Sequence, residues 1–508
     1  MTSMRGWGPA GVVTGLTGLA VSQLVAALLS VREGPFVAVV ESIITLVPGP
    51  VASWAIDFLG SRGKPVLVVL MTLSMLVLFS VAGWLWPRVR WASTLIWVSL
   101  SAVGLAAVVA RNGTGRTETL PIGVGLVVWL LAMTVLSWVA GRAKPSETGS
   151  GATAGPSRRG FAVAVGVVAA LGLGSGVGAR LTSGRKAAIK ESRRLLRIPG
   201  VTARKSPARA RIGVPGVQPW RTRNDDFYQV HTALVIPAIE PAQWRLRIHG
   251  MVEREIVLTY DDLIARGLTE AWMTLSCVSN EVGGQLVGNA WWSGVLTSEL
   301  LAEARPMRGA DAVLQTSEDG WTCSTPLSAM TDDRNSMFAV AMNGQPLPLE
   351  HGFPVRTVVP GLYGYTSACK WLVDVEVTRF ADVEAYWTER GWAEQAPVRL
   401  TSRIDVPRPD DEVEAGVLTV GGSAWRQNTG IEAVEVALDG GAWRRARVAQ
   451  VNTADTWVQW AAAFDVEPGP HVVRVRAIDR DGEVQTGVVR DVLPDGATGW
   501  HAVEFTAV

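Results

Sequence analysis

At 508 residues and 48% hydrophobic content, the chain is long enough for two or three domains. Its formal net charge of +1 averages two unlike halves: Val, Leu, Ala and Gly dominate residues 1–180, and the acidic residues crowd into the last 300. No basic domain interleaved with aromatics is present, which argues against a nucleic-acid partner, and three cysteines are too few for a disulfide framework.

Long apolar runs lie at about 9–30, 65–86, 91–110, 120–140 and 160–180, each close to the ~20 residues that cross ~30 Å of hydrocarbon. An all-α membrane region over 1–180 with five spans is expected. The stretch 35–59 is apolar too, but Glu41, Pro48, Pro50 and Asp57 make it costly against lipid, so it reads as re-entrant or interfacial. The approach to the last run, Pro156-Ser157-Arg158-Arg159-Gly160-Phe161, matches a twin-arginine export pattern. With Arg5 inside, five spans also put the Arg88/Arg90 and Arg142/Lys144 loops inside. The soluble half beyond the last span is expected on the extracytoplasmic face of the cell membrane.

Residues 181–220 read as a basic linker. Eleven Lys or Arg stand between 180 and 211 against a single acid, Glu191. Such a cluster commonly marks the cytoplasmic side; the outward reading rests on the rule weakening before long translocated domains. On either face the run is expected to hug anionic headgroups of the bilayer.

Beyond the linker, 221–395 alternates short β-type runs (Arg245–Ile248, Glu255–Thr259, Ala312–Thr316, Phe353–Val359) with helical patches such as Asp261–Arg266. No regular strand–helix–strand spacing appears, which predicts an α+β domain. A composition shift at Ser402–Pro409 opens a last region, 396–508, with alternating runs at Val417–Val420, Ala433–Leu438, Trp443–Val448, Trp457–Phe464 and His471–Ala477. Several such strands in about 100 residues predict an all-β Ig-like sandwich.

Histidines and cysteines mark where redox chemistry can sit. All five histidines (His231, His249, His351, His471, His501) lie beyond residue 230, and the first cysteine is Cys277. The usual ligands of haem and iron–sulfur clusters are therefore missing from the membrane region; no haem is expected, and an external electron carrier is. Cys277 follows an apolar-alternating run and precedes the small-residue turn Glu281-Val282-Gly283-Gly284. A thiolate at a strand end beside slim backbone suits a soft, heavy metal. The plainer alternative is a small buried hydrophobe.

The segment Met273-Thr274-Leu275-Ser276-Cys277-Val278-Ser279-Asn280-Glu281 resembles the molybdenum-ligand segment of the sulfite oxidase superfamily. Further family-like segments occur in family order: Asn224–Tyr228, Trp244–Gly250, Met342–Pro348, His351–Arg356, Val359–Gly364 and Lys370-Trp371. The resemblance implies a molybdenum–molybdopterin cofactor with Cys277 as protein ligand to the metal. It also implies that Arg356 grips the pterin phosphate, Lys370 adds a second cation and His351 a donor. Asp225, Tyr228 and Gln229 would line the pterin; Thr316 and the Ser367–Lys370 backbone, Ala368 included, would complete the cradle. A surface acid is the alternative for Asp225, and a turn cap for His351. The Ig-like tail serves subunit pairing in relatives, so a homodimer is implied.

The chain also departs from sulfite oxidases. Gln229-Val230-His231 stands where they carry an Arg-Asn-His element, Val340 where they carry a Tyr, and no Arg precedes the Lys-Trp pair. The resemblance therefore implies two-electron oxygen-atom transfer on a small S- or N-oxide type substrate. A sulfite dehydrogenase using Arg221 or Arg223 as replacement cations is the alternative. From another class comes a non-catalytic membrane protein with an Ig-like partner-binding module.

Overall fold

The computed structural model describes residues 6–29, 31, 34–47, 51, 58–59, 62–109, 116–141, 158–182 and 185–508. It divides into two compact units, Met1–Ala188 with Ala233–Ile236, and Ile189–Thr232 with Pro237–Val508. In the first, five helices are long and apolar enough to cross a membrane: Trp7–Leu28, Gly63–Leu85, Arg90–Val109, Thr117–Ala140 and Gly160–Ala179. They coincide with the five expected runs. The ambiguous stretch forms a helix only over Pro35–Leu46, too short to span; Pro48, Pro50 and Asp57 lie outside the described residues. Glu41 on that helix accepts a hydrogen bond from the Leu234 amide (3.1 Å). Pro156, Ser157, Arg5, Arg142 and Lys144 also lie outside the described residues.

The helix Trp7–Leu28 packs most extensively against the helices Gly63–Leu85, Arg116–Gly141 and Arg158–Thr182, and small residues make that close approach feasible. A Cβ on Gly11 would overlap Gly83 of the helix Gly63–Leu85, and one on Gly83 would overlap Gly11. Phe79, Trp97 and Trp129 form an aromatic cluster with centroids 5.1–5.7 Å apart. Trp129 donates its indole N–H to Gly15 O at 3.0 Å, so the ring's polar edge is satisfied inside the bundle.

The second unit opens with an α+β region built on two sheets. One runs β2 (Ile256–Thr259), β1 (Arg245–Gly250), β10 (Leu372–Thr378), β5 (Ala312–Ser317), β6 (Thr322–Pro326), with β1 and β10 parallel. The other runs β3 (Thr269–Ser276), β4 (Val287–Leu296), β7 (Met337–Met342), β8 (Gln345–Pro346), with β9 (Arg356–Val358) also on β7. β9 is shorter than the expected run Phe353–Val359, because Pro354 has no N–H to give to a ladder. The helix after β2, Tyr260–Ile264, starts from a capping box in which Thr259 and Asp262 satisfy each other's backbone amides.

Nine further strands complete the unit. β11 (Thr401–Val406), β13 (Gly416–Trp425), β17 (Val458–Val466) and β16 (Arg447–Val448) form one sheet. β12 (Glu412–Val413), β19 (His501–Ala507), β18 (Gly469–Asp479), β14 (Ile431–Leu438) and β15 (Arg444–Arg445) form the other. Val420, Trp460 and Phe464 from the first share one core with Val434, Val475 and Phe505 from the second. A separate tryptophan-rich core joins this β module to the α+β region: Trp220, Trp272, Trp291, Trp425 and Trp457 are all buried there. Trp220 and Trp457 exchange indole-to-carbonyl hydrogen bonds of 3.1 and 2.8 Å.

Candidate functional site

Cys277 directly follows β3. The β3–β4 pairing closes at Ser276↔Val287, and one further bond, Cys277 N to Leu286 O at 2.9 Å, carries it to the cysteine itself. The loop after it folds back on Asn280, whose Oδ1 accepts from Leu286 N at 2.7 Å while its amide donates to Cys277 O at 3.2 Å. The thiol is buried, which pushes its pKa up; the Ser279 amide and hydroxyl, the Lys370 ammonium and the Val278 amide pull the other way without reversing it. These donors stabilise negative charge on sulfur.

Arg356 heads β9, opposite Ala339 of β7, and its side chain is buried. Its guanidinium reaches three carbonyl oxygens only at long range, His351 at 3.3 Å, Thr357 at 3.4 Å and Ala368 at 3.5 Å, and stacks over Trp292 with 5.2 Å to the ring centroid. No carboxylate pairs with it among the described residues. Burial lowers its pKa to about 10, so it is still charged at neutral pH. A buried cation without an anion is expensive, and the fork geometry is suited to a phosphate.

His351 is 1% exposed. Its Nε2 lies 3.1 Å from Asn224 O, and a carbonyl can only accept, so Nε2 carries the proton. Burial, Lys370 and Arg356 lower its pKa to about 3, keeping the ring neutral. Nδ1 is then a lone-pair acceptor, with no hydrogen-bond partner among the described residues. The donor expected from sequence is thus already in use, and the free nitrogen is of the opposite kind. Gly352, at φ +102°, makes the turn behind it; a Cβ there would sit 3.0 Å from Arg356 Cβ and 3.1 Å from Lys370 Cα.

Tyr228 stacks on Phe227 (5.2 Å), whose edge meets Trp292 and His351. Burial, then Cys277, raises the phenol pKa, so the hydroxyl keeps its proton. Gly364 lies between these residues: a Cβ on it would sit in ordinary contact, 3.6 Å from Ala368 Cβ, 3.8 Å from Ser276 O and 3.9 Å from Tyr228 Oη. Lys370 donates from Nζ to Glu350 O at 2.9 Å. Ser367 uses its hydroxyl on Tyr363 O (2.9 Å), fixing the turn that presents Ala368.

Seven of the ten expected residues therefore lie near one another: Tyr228, Cys277, His351, Arg356, Ser367, Ala368 and Lys370. Asp225 and Gln229 are exposed; Asp225 acts electrostatically on Arg193. Thr316 has no hydrogen bond to any of the seven. Its neighbour Gln315 makes the link instead, bonding Thr357 next to Arg356, because alternate residues of β5 face opposite ways. Arg221 and Arg223 line a groove of about 480 Å³ with Trp220 and Asp226. The three cysteines are free and buried, Cys369 lying against Cys323. Among the described residues no group of three or more His, Cys, Asp or Glu could hold a metal; a metal at Cys277 would take its other ligands from a bound group.

Residues 233–387 match the model of the oxidoreductase molybdopterin binding domain family. The uncharacterized oxidoreductase YuiH of Bacillus subtilis (strain 168) is 31% identical over 176 residues, 35% of this chain and 85% of that protein. This chain belongs to the sulfite oxidase superfamily of molybdopterin-dependent oxidoreductases. Within the superfamily, sulfite oxidase of Gallus gallus is 28% identical over 337 residues (55% of this chain, 72% of that enzyme). Human mitochondrial sulfite oxidase is 28% identical over 339 residues, and the match spans 61% of that enzyme. The sulfane dehydrogenase SoxCD of Paracoccus pantotrophus aligns with TM-score 0.48 and 25% identity over 53% of this chain and 75% of its own.

Two residues outside the expected set tie these segments together, Asn343 and Arg193. Asn343, at φ +53°, accepts from Trp291 N (3.1 Å) and donates to Thr222 O (2.9 Å) and Asn224 Oδ1 (2.7 Å), tying the first motif to the Met342-Asn343-Gly344 segment. The Asn-Gly pair was the available signal, since both residues tolerate positive φ. Arg193, from the run expected at headgroups, instead donates to Leu347 O (2.6 Å) and Pro346 O (3.0 Å).

Proposed function

We propose that the chain is a membrane-anchored, molybdenum-cofactor oxidoreductase in which the Cys277 thiolate is the protein's ligand to the metal. The single observation that carries this reading is the buried Arg356 guanidinium, without a carboxylate among the described residues, facing Tyr228, which also faces Cys277, and sharing His351 with Lys370. An anionic pterin phosphate would neutralise it. Bound there, the cofactor supplies two-electron oxygen-atom transfer.

The chain's own residues bind and orient. Arg356 and Lys370 hold anionic charge, and His351 offers its Nδ1 lone pair to a donor on the bound group. Tyr228 keeps its Oη proton and can donate it to an oxygen of cofactor or substrate. Ser367 and Ala368 shape the turn facing Gly364. Asp225, Gln229 and Thr316 hold secondary places at most, given their positions.

The substrate class proposed is a small S- or N-oxide. Its support lies in two departures from the sulfite oxidase pattern: no Arg precedes the Lys370-Trp371 pair, and Val340 stands where sulfite oxidases carry a Tyr. Sulfite oxidation is the second reading, supported by the named relatives. The two-sheet C-terminal module is proposed to be Ig-like and to pair two subunits; light scattering of the detergent-solubilised protein reads that directly.

Metal and pterin analysis of purified protein, together with turnover of a sulfoxide, an N-oxide and sulfite with artificial electron donors or acceptors, tests the function. Molybdenum with reduction of an oxide is the expected result. Turnover of sulfite alone would replace the substrate assignment by the second reading. Cys277→Ala should abolish turnover with the fold retained, and wild-type rates in that variant with molybdenum bound would sink the ligand assignment.

A further inference from the structure

We infer that the C-terminal β module positions Cys277, acting on both sides of its loop through Gln427 and Arg403. The inference rests on the proposed role of Cys277 as metal ligand. β3 is the edge strand of its sheet, so its outward backbone groups need partners from elsewhere. The β module provides them. Thr274 N donates to Asp455 O at 2.9 Å, and Gln427 Nε2 donates to Thr274 O at 3.0 Å and to Ser276 Oγ at 3.2 Å. Trp457 N donates to Thr274 Oγ1 at 2.9 Å. Both residues held in this way, Thr274 and Ser276, belong to the segment that runs directly into Cys277.

The outgoing side is gripped as well. Arg403, fully buried and paired with Asp405 at 2.8 Å, donates to Gly284 O at 2.8 Å. A Cβ on Gly283 would overlap the His501 ring, whose Nδ1 accepts from Ile404 N at 3.0 Å. The metal-binding loop therefore enters and leaves through contacts with one module.

The chemistry of these contacts separates positioning from mere cover. An edge strand can be covered by apolar side chains; here the buried Gln427 amide does it with directional bonds, and the buried Arg403 guanidinium bonds the loop beyond Cys277. Thr274 O only accepts, so the amide of Gln427 must turn its NH2 that way. This leaves Gln427 Oε1 buried with no hydrogen-bond partner among the described residues. A methionine would fill the same space without that penalty. Directional partners of a metal ligand fix its orientation and tune the metal.

The test uses full-length holoprotein carrying Gln427→Met, Ser276→Ala or Cys277→Ala. Readouts are molybdenum and pterin content, thermal midpoint, kcat and KM, and the cysteine-thiolate-to-metal charge-transfer absorption, which is distinct from that of the dithiolene. The expected result for Gln427→Met is a shifted absorption band and about a 10-fold lower kcat, with KM and metal content held. Ser276→Ala, which loses one acceptor only, should shift less. A shift in Gln427→Met with none in Ser276→Ala still supports the inference, acting through Thr274 O alone. Loss of the band in Cys277→Ala with an unshifted band in both other variants overturns the positioning role and leaves the ligand assignment standing. A band retained in Cys277→Ala overturns both. Should Gln427→Met fail to fold, Ser276→Ala decides alone by the same criterion, and an unshifted band in it overturns the inference.

Discussion

Arg356 and His351 carry charge states that their surroundings dictate. Arg356 stays cationic in a site that offers no carboxylate among the described residues, so an anionic group bound there gains a charge-assisted contact of about 1.5–3 kcal/mol. Arg356→Ala should therefore weaken cofactor binding roughly 10- to 100-fold, read as pterin content after purification; undiminished content would reject the phosphate role. His351 is held neutral, with its pKa lowered to about 3 by burial and by Lys370 and Arg356. His501 is lowered to about 4 by burial and Arg403. Between pH 6.5 and those values the unfolded chain binds protons that the native chain refuses, so stability falls as pH falls. Asp455, pushed up by burial, works in the opposite direction, so the comparison must be made against a variant. The stability difference between wild type and His351→Gln should shrink as pH is lowered from 6.5 to 4.5. A difference constant with pH would reject the depressed imidazole.

Helix contacts and strand ends set the behaviour of whole elements. Gly11 and Gly83 let two apolar helices touch backbone to backbone, the kind of contact that small residues allow. Gly83→Ala should lower the thermal midpoint of detergent-solubilised protein, at a cost of about 1–3 kcal/mol from overpacking. Gly123→Ala is the matched control, because a Cβ there meets nothing within 4 Å; equal midpoints in the two variants would dismiss the close contact. In the α+β region the capping box at Thr259 starts the helix Tyr260–Ile264. Thr259→Ala removes one of its two reciprocal bonds and should cost about 0.5–2 kcal/mol, measurable by chemical denaturation.

Across the whole molecule, two expectations concern where the chain works and with what. The Arg158-Arg159 pair starts the last apolar helix, and changing both to lysine should strand residues beyond 220 in the cytoplasm while the first four spans insert. Protease protection of the soluble unit in spheroplasts reads this out; protection unaffected by the double change would favour a cytoplasmic domain. The second expectation comes from the ligand inventory: no histidine precedes residue 231 and no cysteine precedes 277. Purified full-length protein should show molybdenum–dithiolene absorption without a Soret band, and a stoichiometric Soret peak after stringent purification would refute the need for an external carrier.

The five apolar helices and the cofactor family were legible in the sequence, and seven of the ten proposed site residues lie near one another in the fold. Those signals are local: a span is a run of about twenty apolar residues, and Cys277, Arg356 and Lys370 sit inside short motifs. The strand β4 was not legible, since it is buried on both faces from Val287 to Val295 and shows no alternation. It took the folded chain to reveal that Gln315 accepts from the hydroxyl of Thr357, next to Arg356, that His351 presents a lone pair, and that Asp225 and Gln229 face solvent. Folding also brought Gln427 to Thr274 and Arg403 to Gly284, across 153 and 119 residues of chain. No local pattern encodes such pairs, because their partners are backbone carbonyls, which any residue type supplies; only the packing of distant segments puts a given carbonyl within reach.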